Sequence, residues 1–91
     1  IVTTYNWPLA LDSVLAALAV QSYSGIEVIV ADDGSGEETK AVIARWQSDF
    51  PFTLKHCWHP DVGFRAAQIR NKAVAMAQHD YIVFLDGDCI P

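Results

Sequence analysis

Val28-Ile29-Val30-Ala31-Asp32-Asp33-Gly34-Ser35 decides the fold. Its first four residues are apolar and three of them are β-branched, which favours a strand, whereas the next four are turn formers at which strand propensity collapses. Upstream, Ile26, Val28 and Val30 alternate with Glu27 and Ile29, so a strand is predicted to end at the acidic pair. Ser35 with Glu38 three residues later has the spacing of a capping box. A helix is therefore expected to start at once, carrying Val42, Ile43 and Trp46 inward until Pro51 closes the unit.

The same alternation continues on both sides. Ile1 to Thr4 reads as a strand, followed by Tyr5-Asn6-Trp7-Pro8, in which Asn6 is a candidate helix N-cap and proline suits the first turn. Leu11, Val14, Leu15 and Leu18 then make one apolar helical stripe, and Ser24-Gly25 is expected to end that helix. Downstream, Thr53 to Trp58 reads as a weaker strand, and His59-Pro60-Asp61-Val62-Gly63 as a loop of turn formers. A third helix is predicted over about Ala66 to Gln78, with Ile69, Ala73 and Met76 on one face. Tyr81 to Leu85 is a continuous apolar run, as expected of a central strand buried on both faces, and it stops at Asp86-Gly87-Asp88. About four strands alternating with three helices imply an α/β architecture around a mostly parallel sheet.

Composition sets the outer limits. With 91 residues, 52% hydrophobic and 19% charged, the chain has the composition of a folded domain. A chain of this length buries roughly 60–70% of its unfolded surface, enough for one core but not two. Residues 1–91 are thus read as one continuous unit. A net charge of −5 with six Lys plus Arg argues against a nucleic-acid surface, which needs clustered cations. The longest apolar stretches are too short to span a bilayer, and no basic leader opens the chain. Cys57 and Cys89 lack CxxC spacing and form no disulfide framework, so a reducing compartment is expected. Both ends look cut: Ile1-Val2 already reads as strand, and Ile90-Pro91 stops just after the most acidic cluster. Part of a longer protein is expected. No G-x-G-x-x-G follows the first strand and no Walker A loop occurs, which removes the dinucleotide-dehydrogenase and P-loop readings.

In open α/β sheets ligands bind beyond the carboxyl ends of the strands, near the topological switch point. That rule gathers Thr3, Thr4 and Tyr5 after the first strand, Asp32 and Asp33 after the second, and Asp86 and Asp88 after the last. Asp86-Gly87-Asp88 would set two carboxylates on one side of an extended backbone, with a glycine leaving room for a ligand. Such a pair suits Mg²⁺ or Mn²⁺, which accept one or two carboxylates, keep waters and bridge diphosphate oxygens. Alone, a D-x-D is more often an acidic turn, and Asp32-Asp33 equally reads as a turn complementing a helix dipole. A carboxylate at a strand end can also accept the imide N–H of a pyrimidine. Arg65, which opens the third helix beside a glycine loop, could close over that base, although its plainer reading is a solvated helix residue. Arg70 and Lys72 read as surface cations. His56, Cys57 and His59 have no metal-ligand spacing and read as structural, and Cys89 has no neighbouring base to make it a nucleophile.

Taken together, Thr3-Thr4-Tyr5-Asn6, Val28 to Ser35, the run from Gly63 to Ala73, and Tyr81 to Asp88 resemble the family-2 glycosyltransferases in order and spacing over essentially the whole chain. The resemblance implies the nucleotide-binding half of the three-layer, Rossmann-like GT-A fold. It further implies that Thr3 to Tyr5 line the base and ribose pocket with Tyr5 stacking on the base, that Asp33 binds uracil N3–H, and that Asp32 lies in the same donor site with Arg65 flanking the base. Asp88 would ligate Mn²⁺ or Mg²⁺ directly, and Asp86 would hold the ribose or a metal-bound water. The implied partners are a nucleotide-sugar donor, with uridine the commonest expectation, and a saccharide acceptor in cell-surface polysaccharide synthesis. By the same resemblance, the acceptor site and general base fall after Pro91, so residues 1–91 alone are expected to have little transferase activity. An exposed last strand would invite self-association.

Two other classes of function stay open at this point. A nucleotide-sugar-binding module without catalysis would bind donor and transfer nothing. A phosphotransferase using Asp86 as nucleophile would form an aspartyl-phosphate, but it leaves Asp32-Asp33 unexplained.

Overall fold

The structure is a computed structural model describing residues 1–23 and 25–91. Seven elements are found among the described residues: β1 (Val2–Thr4), α1 (Pro8–Ala19), β2 (Glu27–Asp32), α2 (Glu37–Gln47), β3 (Thr53–Trp58), α3 (Ala66–Met76) and β4 (Leu85–Asp86). The strands form one sheet in the order β3-β2-β1-β4, every neighbouring pair parallel. The chain steps outward from β1 to β2 and β3, then returns to place β4 on the other side of β1. The switch point therefore lies between β1 and β4.

Side chains alternate across β2 and so sort the core into two layers. Val28 and Val30 meet Leu11, Val14, Leu15 and Leu18 of α1 and Ile43 of α2 on one face, with Trp46 packed at its margin. Ile29 and Ala31 meet Ile69 and Ala73 of α3, together with Cys57, on the other. Complete burial of a leucine such as Leu11 or Leu15 stabilises the fold by about 1.5–3 kcal/mol. The result is the expected α/β three-layer arrangement, and Pro8 occupies the first turn of α1 as predicted.

Several local expectations are corrected. The strand buried on both faces is β2, whereas β4 is short and lies at the sheet edge. Val2 pairs with Leu85 and Thr3 with Asp86, the Val83 carbonyl accepts the Ile1 amino group at 2.8 Å, and Tyr81 and Val83 are exposed. Helix α1 stops at Ala19 because the stripe would next need apolar residues where Gln21 and Ser22 stand. Of the expected Ser24-Gly25 ending, Ser24 lies outside the described residues. Helix α3 ends at Met76, because the Gln78 N–H donates to the Glu27 carboxylate at 3.0 Å instead of to its own helix.

The capping box is not made either. Helix α2 begins at Glu37 with Gly36 as N-cap, which leaves Glu38 one position short of the place from which it could reach back. The Ser35 hydroxyl instead accepts the Asn6 N–H at 2.8 Å, while Asn6 Oδ1 accepts the Gly36 N–H at 2.8 Å. Asn6 is therefore not the N-cap of α1, a position held by Trp7. It sits at φ 45°, a left-handed conformation that asparagine tolerates, and clamps the β1–α1 loop to the β2–α2 loop.

Candidate functional site

A cavity of about 440 Å³ opens at the carboxyl ends of β1, β2 and β4, at the switch point. β1 contributes Thr3, Thr4 and, just beyond its end, Tyr5; β2 contributes Ala31 and, just beyond its end, Asp33; β4 contributes Asp86. The β3–α3 loop and α3 supply Asp61, Gly63, Phe64, Ala66, Ile69 and Arg70. Aromatic and aliphatic surface with a few converging polar groups is the usual make-up of a small-molecule site.

Asp33 is the most strongly held of these polar groups. It is buried, with its Oδ1 bonded to His59 Nε2 and its Oδ2 accepting the Arg65 backbone N–H at 2.8 Å. Burial pushes its carboxyl up, but the bonds from His59 and the Arg65 N–H and the nearby positive charge outweigh that, holding it below its ordinary value of 3.8. Each carboxylate oxygen has two lone pairs, so Asp33 keeps acceptor capacity for a ligand while both oxygens are pinned. Tyr5 is half-exposed, and its hydroxyl donates to Asp61 Oδ2 at 2.7 Å, a bond that raises its pKa. This bond ties the β1 side of the cavity to the β3–α3 loop.

Three of the expected site residues behave otherwise. Asp32 is buried beneath the loop and does not line the cavity. Its Oδ1 accepts the Ser35 N–H at 2.9 Å, closing the Asp-Asp-Gly-Ser turn, and its Oδ2 lies 2.8 Å from His56 Nε2 on β3. Side chains alternate along β2, so Asp32 falls on the face of Val28 and Val30 while Asp33 follows Ala31 to the face that lines the cavity. Arg65 is corrected as well, since what it brings to Asp33 is its backbone N–H. Its guanidinium turns outward to the Pro60 carbonyl and to Gln68 Oε1. The cation on the cavity wall is Arg70, read from sequence as a surface residue, and its Nη2 stands 3.8 Å from Asp86 Oδ1. Asp88, the third, is exposed and outside the cavity lining.

The reason lies in the chain after β4. The strand stops at Asp86, and Gly87-Asp88 form a turn closed by the Cys89 N–H on the Asp86 carbonyl at 3.0 Å, so the two carboxylates do not share an extended backbone. Gly87 makes room for the protein itself and not for a ligand: a Cβ there would fall 2.4 Å from the Thr3 carbonyl oxygen. Among the described residues no three His, Cys, Asp or Glu side chains cluster as a complete metal cage. Asp86 and Asp88 stay exposed on either side of that turn, and carboxylate oxygen is the donor type that Mg²⁺ and Mn²⁺ take, one or two at a time with water completing the shell.

Sequence reasoning missed Asp61 and Phe64 as well as Arg70. The rule that collected the other residues could have found Asp61, which lies in the loop beyond the carboxyl end of β3. Phe64 is almost wholly exposed at the cavity, an unusual place for an aromatic side chain, and nothing in its spacing announces that. A second opening, of about 660 Å³, lies at the opposite end of the sheet between Tyr23, Ile26, His79 and Tyr81, and it gathers none of these groups. No helix among the described residues is long and apolar enough to cross a membrane.

A family model described as Glycosyl transferase family 2 matches residues 1–91. Hyaluronan synthase of Pasteurella multocida is 37% identical over 92 residues, an alignment covering 100% of this chain and 9% of that protein. Validoxylamine A glucosyltransferase of Streptomyces hygroscopicus subsp. jinggangensis is 33% identical over 88 residues, covering 94% of this chain and 20% of that one. Among solved structures, S. aureus TarS superposes with a TM-score of 0.84 at 27% identity, covering 96% of this chain and 16% of TarS. TarS 1–349 in complex with UDP superposes at 0.79 with 26% identity, covering 97% and 26%. The chain thus spans a fifth or less of the length of these curated relatives.

Proposed function

The chain belongs to glycosyl transferase family 2, and from that premise we propose that residues 1–91 form the donor side of a glycosyltransferase. They would bind the nucleoside diphosphate of a nucleotide-sugar whose sugar passes to a saccharide acceptor during polysaccharide synthesis. The observation that carries this reading is the cavity at the switch point, where the fixed Asp33 carboxylate, the Tyr5 ring and the Arg70 cation converge. The superposition on a TarS fragment in complex with UDP supports uridine as the base.

Each wall residue then has a task. Asp33 accepts the N3–H of uracil, a bond strengthened by the charge on the carboxylate. Tyr5 offers its ring to the base, and Thr3 and Thr4 form the floor beneath base and ribose. Arg70 offsets phosphate charge that a chain of net charge −5 would otherwise repel. Asp86 and Asp88 would hold Mn²⁺ or Mg²⁺. A divalent cation bound there supplies neutralisation of the charge that develops on the departing diphosphate. None of the described residues is assigned as the base that deprotonates the acceptor.

Calorimetric titration with UDP tests the reading, run with Mn²⁺ and with chelator on the wild type, Asp33→Ala and Asp88→Ala. Binding that weakens on Asp33→Ala, and that depends on both the cation and Asp88, is expected. UDP binding by wild type that is indifferent to both substitutions would overturn the assignment.

A further inference from the structure

His59 does not line the cavity, yet it is 3% exposed and spends both ring nitrogens on charged partners. Its Nε2 meets Asp33 Oδ1, and its Nδ1 lies 3.1 Å from Lys72 Nζ. A lysine ammonium has only donors, so the contact at Nδ1 requires a lone pair on that nitrogen, and the ring proton is then on Nε2, directed at Asp33. The ring itself is fixed from behind, because the His59 N–H donates to the Asp32 carbonyl at 3.4 Å and extends the β2–β3 ladder by one residue. Lys72 thus sets the tautomer, the tautomer sets the donor, and the donor pins one oxygen of Asp33 while the Arg65 N–H pins the other.

We propose that His59, oriented by Lys72, is a positioning residue for base selection: it fixes the Asp33 carboxylate so that its remaining lone pairs meet a base carrying an N–H at the pairing edge and refuse one presenting a lone pair. This rests on the proposed nucleotide site and adds how its base preference is set. Uracil has a proton on N3, and cytosine has a lone pair there. A carboxylate held still at both oxygens accepts from the first and repels the second. One held only by Arg65 can swing aside and lose that distinction.

The test is the ratio of UDP to CDP affinity, measured by calorimetry with Mn²⁺ on the full chain for wild type, His59→Leu, His59→Gln and Lys72→Met. His59→Leu removes the donor, and the ratio is expected to fall on the order of tenfold or more, the effect of losing one hydrogen bond to a charged group. His59→Gln restores an N–H donor and is expected to recover part of the ratio. Lys72 is exposed, so Lys72→Met leaves the core intact and is expected to lower the ratio in the same direction by less. A purely structural role for His59 would weaken UDP and CDP together and leave their ratio at the wild-type value, and that result in a folded His59→Leu overturns the proposal. If His59→Leu does not fold, Lys72→Met decides alone, and an unchanged ratio overturns it. Wild type that binds neither nucleotide fails earlier, overturning the nucleotide site itself and this role with it.

Discussion

Gly34 carries two constraints at once, and replacing it with alanine separates this fold from a generic α/β unit. Its φ of +87° lies in the left-handed region, where a Cβ costs about 1–2 kcal/mol. That Cβ would also stand 2.4 Å from Asp61 Cα and 2.5 Å from Asp61 N, backbone atoms that no rotamer change can remove. Overpacking of this kind costs about 1–3 kcal/mol more. Together the penalty is about 2–5 kcal/mol, against a total stability of roughly 5–14 kcal/mol for a domain of this length. A loss near 3 kcal/mol would lower Tm by roughly 12–24 °C. Gly63→Ala is the matched control, because its φ is +72° but nothing lies within 4 Å of its Cβ position, so it carries the conformational cost alone. Thermal and urea unfolding of both variants are expected to rank Gly34→Ala well below Gly63→Ala. Displacing Asp61 should also break its bond to Tyr5 and weaken nucleotide binding. Equal destabilisation of the two variants would refute the claim that the β2–α2 turn is seated against the β3–α3 loop.

Two further outcomes follow from the site and from the far end of the sheet. Arg70→Ala is expected to weaken UDP binding about tenfold, the loss of one charge-assisted contact, whereas Arg65→Ala changes it little because Asp33 is held by the backbone of residue 65; calorimetry on both variants decides. Glu27 sits beside Lys55 at 2.7 Å and accepts the Gln78 N–H, and these contacts hold its carboxyl below the ordinary value of 4.5. A depressed carboxylate pKa stabilises the fold above the unfolded value and loses that contribution as pH falls through the folded one. Urea unfolding of wild type should therefore show stability falling below about pH 4.5, with a shallower fall in Glu27→Gln; identical slopes would contradict it.

The elements that position the site were legible because each rests on a local periodicity. The stripe at Leu11, Val14, Leu15 and Leu18 and the abrupt stop after Ala31 needed no tertiary knowledge, and β3 falls at Thr53–Trp58 as read. What was not legible depends on which way a side chain turns once neighbours are present. Asp32 and Asp33 look alike as a turn pair, yet alternation along β2 puts Asp32 on the side of His56 and the turn and Asp33 on the cavity side with Ala31, and which side holds the cavity depends on where α3 packs. Arg65 and Arg70 differ in sequence only in position, and the phase of α3, set by Ile69 and Ala73 entering the core, brings Arg70 to the wall. Ser35 resembled a cap because its spacing to Glu38 is right. Its hydroxyl was drawn to Asn6, 29 residues away, a partner no local pattern can reveal. The run from Tyr81 to Leu85 has the composition of a buried strand, yet only Leu85 of it belongs to β4, and Tyr81, Val83 and Phe84 are exposed.

Every role proposed for these residues rests on a nucleoside diphosphate binding in the cavity between β1, β2 and β4. Amide chemical-shift mapping on titration with UDP and Mg²⁺ tests it most directly, since every region of the chain reports at once. The largest shifts are expected at Thr3, Thr4, Tyr5, Asp33, Gly63 and Phe64, with Asp86 to Asp88 responding when Mg²⁺ is present. Shifts gathered instead around Tyr23, Ile26, His79 and Tyr81, with the cavity residues silent, would contradict it.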